Sequence, residues 1–94
     1  MRKFTKTECR REAEMLKALA HPTRLAIVRR LADGEHCVCE FVAAAGASFS
    51  TVSQHLTVLR NAGIVVATKR GQSVYYRLSC PCVTSMLDCL AKRK

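Results

Sequence analysis

Long apolar runs are missing from this chain of 94 residues. None approaches the ~20 needed to cross a bilayer, so no membrane span is expected. Proline is scarce too: two residues, against a hydrophobic content of 49%, argue against disorder. Acidic side chains are few. Seven Asp and Glu stand against 16 Lys and Arg, a formal net charge of +9, and the resulting positive field suits phosphate backbones or anionic lipid. The basic N-terminus, MRKFTKTECRREAEML, is followed by no apolar signal segment, which sets the expectation of a cytoplasmic chain. Internal repeats, linkers and low-complexity tracts are also missing. Residues 1–94 are therefore expected to form one domain, near the size at which a chain gains stability by pairing with a copy of itself.

Cysteine is the residue in excess. Six thiols in a short chain without an export signal point to soft-metal binding or redox work more than to a disulfide framework. Four of them form two Cys-x-Cys pairs, Cys37 and Cys39 in GEHCVCEF and Cys80 and Cys82 in SCPC, while Cys9 and Cys89 stand alone. The Cys-x-x-Cys spacing of thiol oxidoreductases is absent, as is any parallel-sheet pattern, so no enzyme is expected.

Helical spacing runs over residues 6–19, where Met15, Leu16 and Leu19 make an apolar face. Pro22 opens a second helix in HPTRLAIVRRLADG, and Gly34 stops it. A third covers residues 38–45 and ends at Gly46; a fourth starts in the polar stretch Ser48 to Thr51, runs to Asn61 and is closed by Gly63. IVVATKR and SVYYRLS read as two strands joined at Gly71, and VTSMLDCLAKRK returns to helical spacing with Met86, Leu87 and Leu90. Four helices, a hairpin and a last helix make a mainly α winged helix-turn-helix, in which helix 38–45 braces and helix 50–61 reads the major groove.

At about 100° per residue, Val52, Leu56 and Leu59 fall on the inward side of the fourth helix. Ser50, Gln54, Thr57 and Asn61 fall outward, with Ser53 on a flank. Small hydrogen-bonding side chains suit base edges and phosphates, and Thr51 and the helix's single charge, Arg60, extend the set. At the hairpin tip Lys69, Arg70 and Gln72 surround Gly71, placed to meet phosphate or enter the minor groove. Tyr75 and Tyr76 alternate, one expected in the core and one partly exposed.

Three segments, LAHPTRLAIVRRLADGEHCVCEF, STVSQHLTVLRNAGIV and KRGQSVYYRL, closely resemble the arsenic-repressor (ArsR/SmtB) family of bacterial metal-sensing winged-helix proteins. The likeness covers roughly residues 14 to 79. It implies a homodimer with first and last helices at the two-fold interface, hence Met15, Leu16, Leu19, Met86, Leu87 and Leu90 as interface residues. It implies a repressor that holds double-stranded operator DNA and leaves it when metal binds. HCVCEF matches the family's metal box, which places Cys37 and Cys39 as thiolate ligands, and STVSQHL implicates Ser50, Ser53, Gln54 and His55 in DNA contact. The chain departs from the family at Phe49, where many members have Gln, and at Val42, where arsenic-type members often have a third Cys. The last helix also has no His of the kind zinc-type members use there.

Trivalent arsenic or antimony prefers three thiolates, and cadmium and lead take three or four. As(III) or Sb(III) is the expected inducer, with Cd(II), Pb(II) or Zn(II) as alternatives. Two residues apart on an ideal helix, Cys37 and Cys39 point about 200° from each other. Sharing an ion is then expected to need a frayed or unwound helix start. Cys9 is a candidate third ligand, as in cadmium and lead sensors of the family; His36 is expected to be solvated and His21 to serve as a helix-start residue. Cys80, Cys82 and Cys89 form a second candidate group. On a continuous helix Cys82 and Cys89 stand about 10.5 Å apart. Either the helix starts later, or Cys89 joins from the other subunit, or Cys9 contributes; Cys89 is otherwise a buried residue at the dimer seam. Two other readings stay open: a redox or persulfide sensor on the same fold, and a small structural zinc module using both Cys-x-Cys pairs.

Overall fold

The computed structural model describes residues 3–92. Its elements begin where the polar cap residues stand. Helix α1, Lys6–Leu19, starts at a reciprocal cap: the Glu8 N–H donates to Thr5 Oγ1 at 3.0 Å and the Thr5 N–H donates to the Glu8 carboxylate at 3.2 Å. Helix α2, Pro22–Arg30, has His21 as its cap, with Nδ1 accepting the Thr23 N–H at 3.1 Å, as the helix-start expectation for His21 requires. A 3-10 turn over Leu31–Asp33 leads to Gly34, whose φ of 137° turns the chain out of the helix. Then follow β1, His36–Cys37, and α3, Val38–Ala45. Helix α4, Phe49–Asn61, is capped by Ser48. Strands β2, Val65–Arg70, and β3, Ser73–Leu78, form the hairpin, and α5, Cys82–Ala91, completes the fold.

The hairpin is joined by a third strand that periodicity did not predict. The sheet order is β1-β3-β2, all antiparallel, with His36 opposite Tyr76 and Cys37 opposite Tyr75. Two residues are too few to show alternation, and their partner lies some forty positions away, so no local signal marks β1. The foot of the hairpin is pinned by Ser79. Its hydroxyl donates to the carbonyls of Gly63 at 2.5 Å and Ile64 at 3.1 Å, and its N–H donates to Ile64 O at 2.9 Å.

The core lies where α1, α2 and α4 meet the sheet. Leu56 and Leu59 are 0% exposed, with Val52, Val28, Ile64 and Val65 packed beside them. Burying each such side chain contributes about 1.5–3 kcal/mol, which is what ties α4 to the body. Tyr76 is buried and Tyr75 half-buried, as strand alternation predicts. Across the surface Arg29 of α2 meets Asp88 of α5 at 2.5 Å. No helix among the described residues is long and apolar enough to cross a membrane.

Two of the six expected interface residues are buried within their own chain. Leu19 and Leu87 turn into the core of their own chain, at 6% and 8% exposure, because α1 and α5 each present one apolar flank inward. Met15 is half-buried, while Leu16, Met86 and Leu90 remain exposed at 53%, 38% and 59%. A groove of about 330 Å³ between α1 and α5 is lined by Glu12, Met15, Leu16, Leu19, Cys82, Val83 and Met86.

Candidate thiol site and nucleic-acid interface

Cys37 is not a helical residue. Paired with Tyr75 in β1 it has φ −75° and ψ 145°, and α3 begins one position later at Val38. The 100° count does not apply across that junction, and the Sγ atoms of Cys37 and Cys39 lie 2.8 Å apart with α3 intact. This corrects the expectation that the pair can converge only on a frayed or unwound helix. The Cys39 thiol donates to Cys37. That bond, then the Cys39 backbone N–H and the Ser73 hydroxyl, holds the Cys37 thiol below its ordinary value, and keeping its own proton in that bond raises Cys39. Cys37 is buried and Cys39 exposed, so the pair opens to solvent on the Cys39 side.

Acidic groups brace the thiols. Glu40 accepts the Cys37 N–H at 2.8 Å, capping α3, and lies 3.1 Å from His36 Nδ1; Asp33 lies 2.7 Å from His36 Nε2. The Asp33 and Glu40 hydrogen bonds raise the His36 pKa, and as an imidazolium the ring donates to both. His36 is therefore not solvated: it is half-buried, tied to two carboxylates and edge-on to Phe41.

The remaining thiols lie apart. Cys80 and Cys82 are joined in a disulfide at the start of α5. Since α5 runs unbroken from Cys82 through Cys89, these two are about 10.5 Å apart along the axis, and the later-start option is excluded. Cys89 and Cys9 are both exposed, so Cys89 is not a buried residue within its own chain. Among the described residues no group of three or more His, Cys, Asp or Glu is arranged to hold a metal ion. Cys37 faces Tyr75, and Cys80 lies five residues further along the chain, roughly 16 Å at strand rise.

Helix α4 presents Ser50, Thr51, Gln54, Arg60 and Asn61 to solvent, with Phe49 60% exposed beside them. Ser53, His55 and Thr57 are half-buried. Thr57 Oγ1 donates to the Ser53 carbonyl at 2.9 Å and Thr51 Oγ1 lies 3.0 Å from Ser48 Oγ, so both hydroxyls already have partners within their own segment. His55 turns toward the start of α2, its ring 4.6 Å from that of His21. Burial first, with smaller electrostatic contributions from His21 and Arg24, lowers its pKa. At the hairpin tip Lys69, Arg70 and Gln72 are exposed around Gly71, whose φ of 62° makes the turn. Arg70 is held by a residue that the motif reading did not single out, Glu35.

Helices α3 and α4, joined by a short turn and followed by a hairpin, make this a winged helix-turn-helix protein. Residues 21–66 match the model of the bacterial regulatory proteins of the arsR family. The HTH-type transcriptional repressor SmtB of Mycobacterium tuberculosis is 46% identical over 66 residues, covering 70% of this chain and 49% of that protein. The arsenical resistance operon repressor of Escherichia coli is 43% identical over 67 residues, covering 70% and 57%. The chain thus spans about half the length of the curated relatives it matches. Among solved structures, HlyU from Vibrio cholerae superposes with a TM-score of 0.83 at 35% identity, covering 94% of this chain and 96% of that one. The chain belongs to the arsR family of bacterial regulatory proteins. The two relatives are transcriptional repressors, in agreement with the expectation that the chain is not an enzyme.

Proposed function

We propose that the protein is a cytoplasmic, homodimeric transcriptional repressor. It grips operator DNA through α4 and the hairpin, and it lets go when a soft thiophilic ion takes Cys37 and Cys39. The observation that carries this reading is the approach of the two sulfurs to 2.8 Å, one of them favoured as thiolate, at the N-terminus of the helix that braces α4. Arsenite or antimonite is the first choice of ion, given a relative that represses an arsenical resistance operon, with cadmium or lead next and zinc behind them. A third donor comes from outside the pair, and the exposed Cys9 of a second copy suits that role. Exposed Leu16, Met86 and Leu90 supply an apolar face for that second copy. With +9 on each chain, a dimer carries twice that charge, and its DNA binding should fall steeply with salt.

Two thiolates each about 2.3 Å from one ion, at a tetrahedral angle, stand about 3.8 Å apart. Ligation must therefore part the sulfurs from their 2.8 Å contact and take the proton that Cys39 gives Cys37. The start of α3 moves, and α4 loses its brace. Titrating the reduced protein with arsenite, antimonite or cadmium tests this, recording thiolate-to-metal absorption beside the fluorescence anisotropy of a labelled duplex. Absorption and DNA release should saturate together, and C37S/C39S should show neither. A double variant that still responds fully would move the sensor to Cys80, Cys82 and Cys89.

A second reading, a thiol redox or persulfide sensor, draws on the Cys80–Cys82 disulfide. It is chosen if peroxide or a persulfide releases DNA while no metal absorption develops. A structural zinc module built on both Cys-x-Cys pairs has less support, since one pair lies across from Tyr75 and the other is closed on itself at α5.

A further inference from the structure

We propose that Glu35 is the positioning residue of the wing: it sets the Arg70 guanidinium for a DNA phosphate and passes movement of the Cys37–Cys39 pair to that contact. The inference rests on the thiol-controlled, DNA-binding reading above. Its starting point is a forked ion pair. Both terminal nitrogens of Arg70 donate to the Glu35 carboxylate, Nη2 to Oε2 at 3.2 Å, and the guanidinium carbon lies 5.2 Å from the centre of the Tyr75 ring. Glu35 is the sheltered member, its side chain 26% exposed against 58% for Arg70.

An exposed ion pair contributes little to folding stability. What this one fixes is where the guanidinium stands. A carboxylate on one edge and a ring against the face hold a long side chain that is otherwise free among many rotamers. Two of the five N–H donors of Arg70 serve Glu35, which leaves three for phosphate oxygens.

Both supports of Arg70 neighbour Cys37. Glu35 is two residues upstream of it, and Tyr75 is its partner across the β1–β3 ladder. Ser73, two residues before Tyr75 on the same strand, pairs with Arg70 itself at the hairpin end. A shift of Cys37 that parts the sulfurs therefore disturbs the carboxylate and the ring together, and Arg70 loses its fixed direction. The two-residue strand thus joins the thiol pair to the wing by a route that does not pass through α3 and α4.

The test is a double-mutant comparison on a duplex selected from a random pool by the wild-type protein. E35Q keeps the shape and removes the charge; R70K keeps the charge and removes the fork. In the reduced state each single variant should bind the duplex severalfold more weakly, and E35Q/R70K should be no weaker than R70K alone. With cadmium as the ligand, E35Q should show the wild-type stoichiometry and thiolate absorption while its cadmium-dependent loss of DNA affinity shrinks by about fivefold or more. Unchanged circular dichroism verifies the fold of each variant. Effects of E35Q and R70K that multiply, or an E35Q protein with the full cadmium response, overturn the proposal. A wild type that binds DNA but ignores cadmium and arsenite overturns the thiol-sensing reading and the transmission role with it, and the reduced-state comparison then decides the positioning of Arg70 alone. A wild type that selects no duplex overturns both.

Discussion

The imidazole of His55 rests 4.6 Å from that of His21, so that a ring from α4 leans on the residue that caps α2. Burial first, with smaller electrostatic contributions from His21 and Arg24, holds the His55 pKa below its ordinary 6.5. The unfolded chain then binds this proton more readily than the folded one. Stability from this site is full above pH 6.5 and falls as the pH drops from there through the lowered value. Replacing His55 by Gln should flatten that acid-side loss in thermal midpoints measured on either side of pH 6.5. His36 has the opposite sign: its raised pKa gives stability that is full below 6.5 and is lost as pH rises through the folded value. The informative quantity is therefore the wild-type minus variant difference.

Gln54 and Thr57 both fall on the outward side of α4 by helical count, yet only Gln54 has a free end. The Thr57 hydroxyl already serves the Ser53 carbonyl. Gln54→Ala should cost about 1–3 kcal/mol of specific DNA affinity, with non-specific binding little changed. Thr57→Ala should change specific affinity far less. Competition between selected and scrambled duplexes separates the two outcomes, and equal losses would place Thr57 at the DNA.

Leu56, on the inward side of α4, is fully buried. Leu56→Ala should lower the free energy of unfolding by about 2–5 kcal/mol, read from urea denaturation. A smaller loss would mean that the surrounding side chains collapse onto the gap.

Leu16 and Leu90 are exposed on the outer sides of α1 and α5, whereas Leu87 is buried. Leu16→Glu with Leu90→Glu should give a folded monomer in sedimentation equilibrium. Leu87→Ala should instead lower the unfolding free energy of the chain by about 2–5 kcal/mol. A charged double variant that still sediments as a dimer would move the subunit contact off α1 and α5.

Local signals carried most of the architecture. Thr5, His21-Pro22, Ser48 and the glycines at 34, 46, 63 and 71 mark ends that depend on nearby residues, and the inward set Val52, Leu56 and Leu59 follows from spacing within one helix. Contacts between distant positions were not legible. Cys37 is extended because Tyr75 pairs with it, so a count made on an ideal helix set the two thiols facing apart when they meet. His36 looked free because its partners Asp33 and Glu40 converge on it only once the chain turns at Gly34 and enters β1. The Glu35–Arg70 pair spans 35 positions, and no motif relates its ends. Leu19 and Leu87 show the same limit. Periodicity marks an apolar face without saying whether its own chain or a second one will cover it.

Ser79 fastens the foot of the hairpin one residue before Cys80. Strand β3 is thereby a beam anchored at one end and loaded at the other. Cys37 pairs with Tyr75, four residues toward the tip from that anchor. The two sulfur pairs thus border different parts of the fold, Cys37 opposite Tyr75 in the sheet and Cys80–Cys82 at the start of α5.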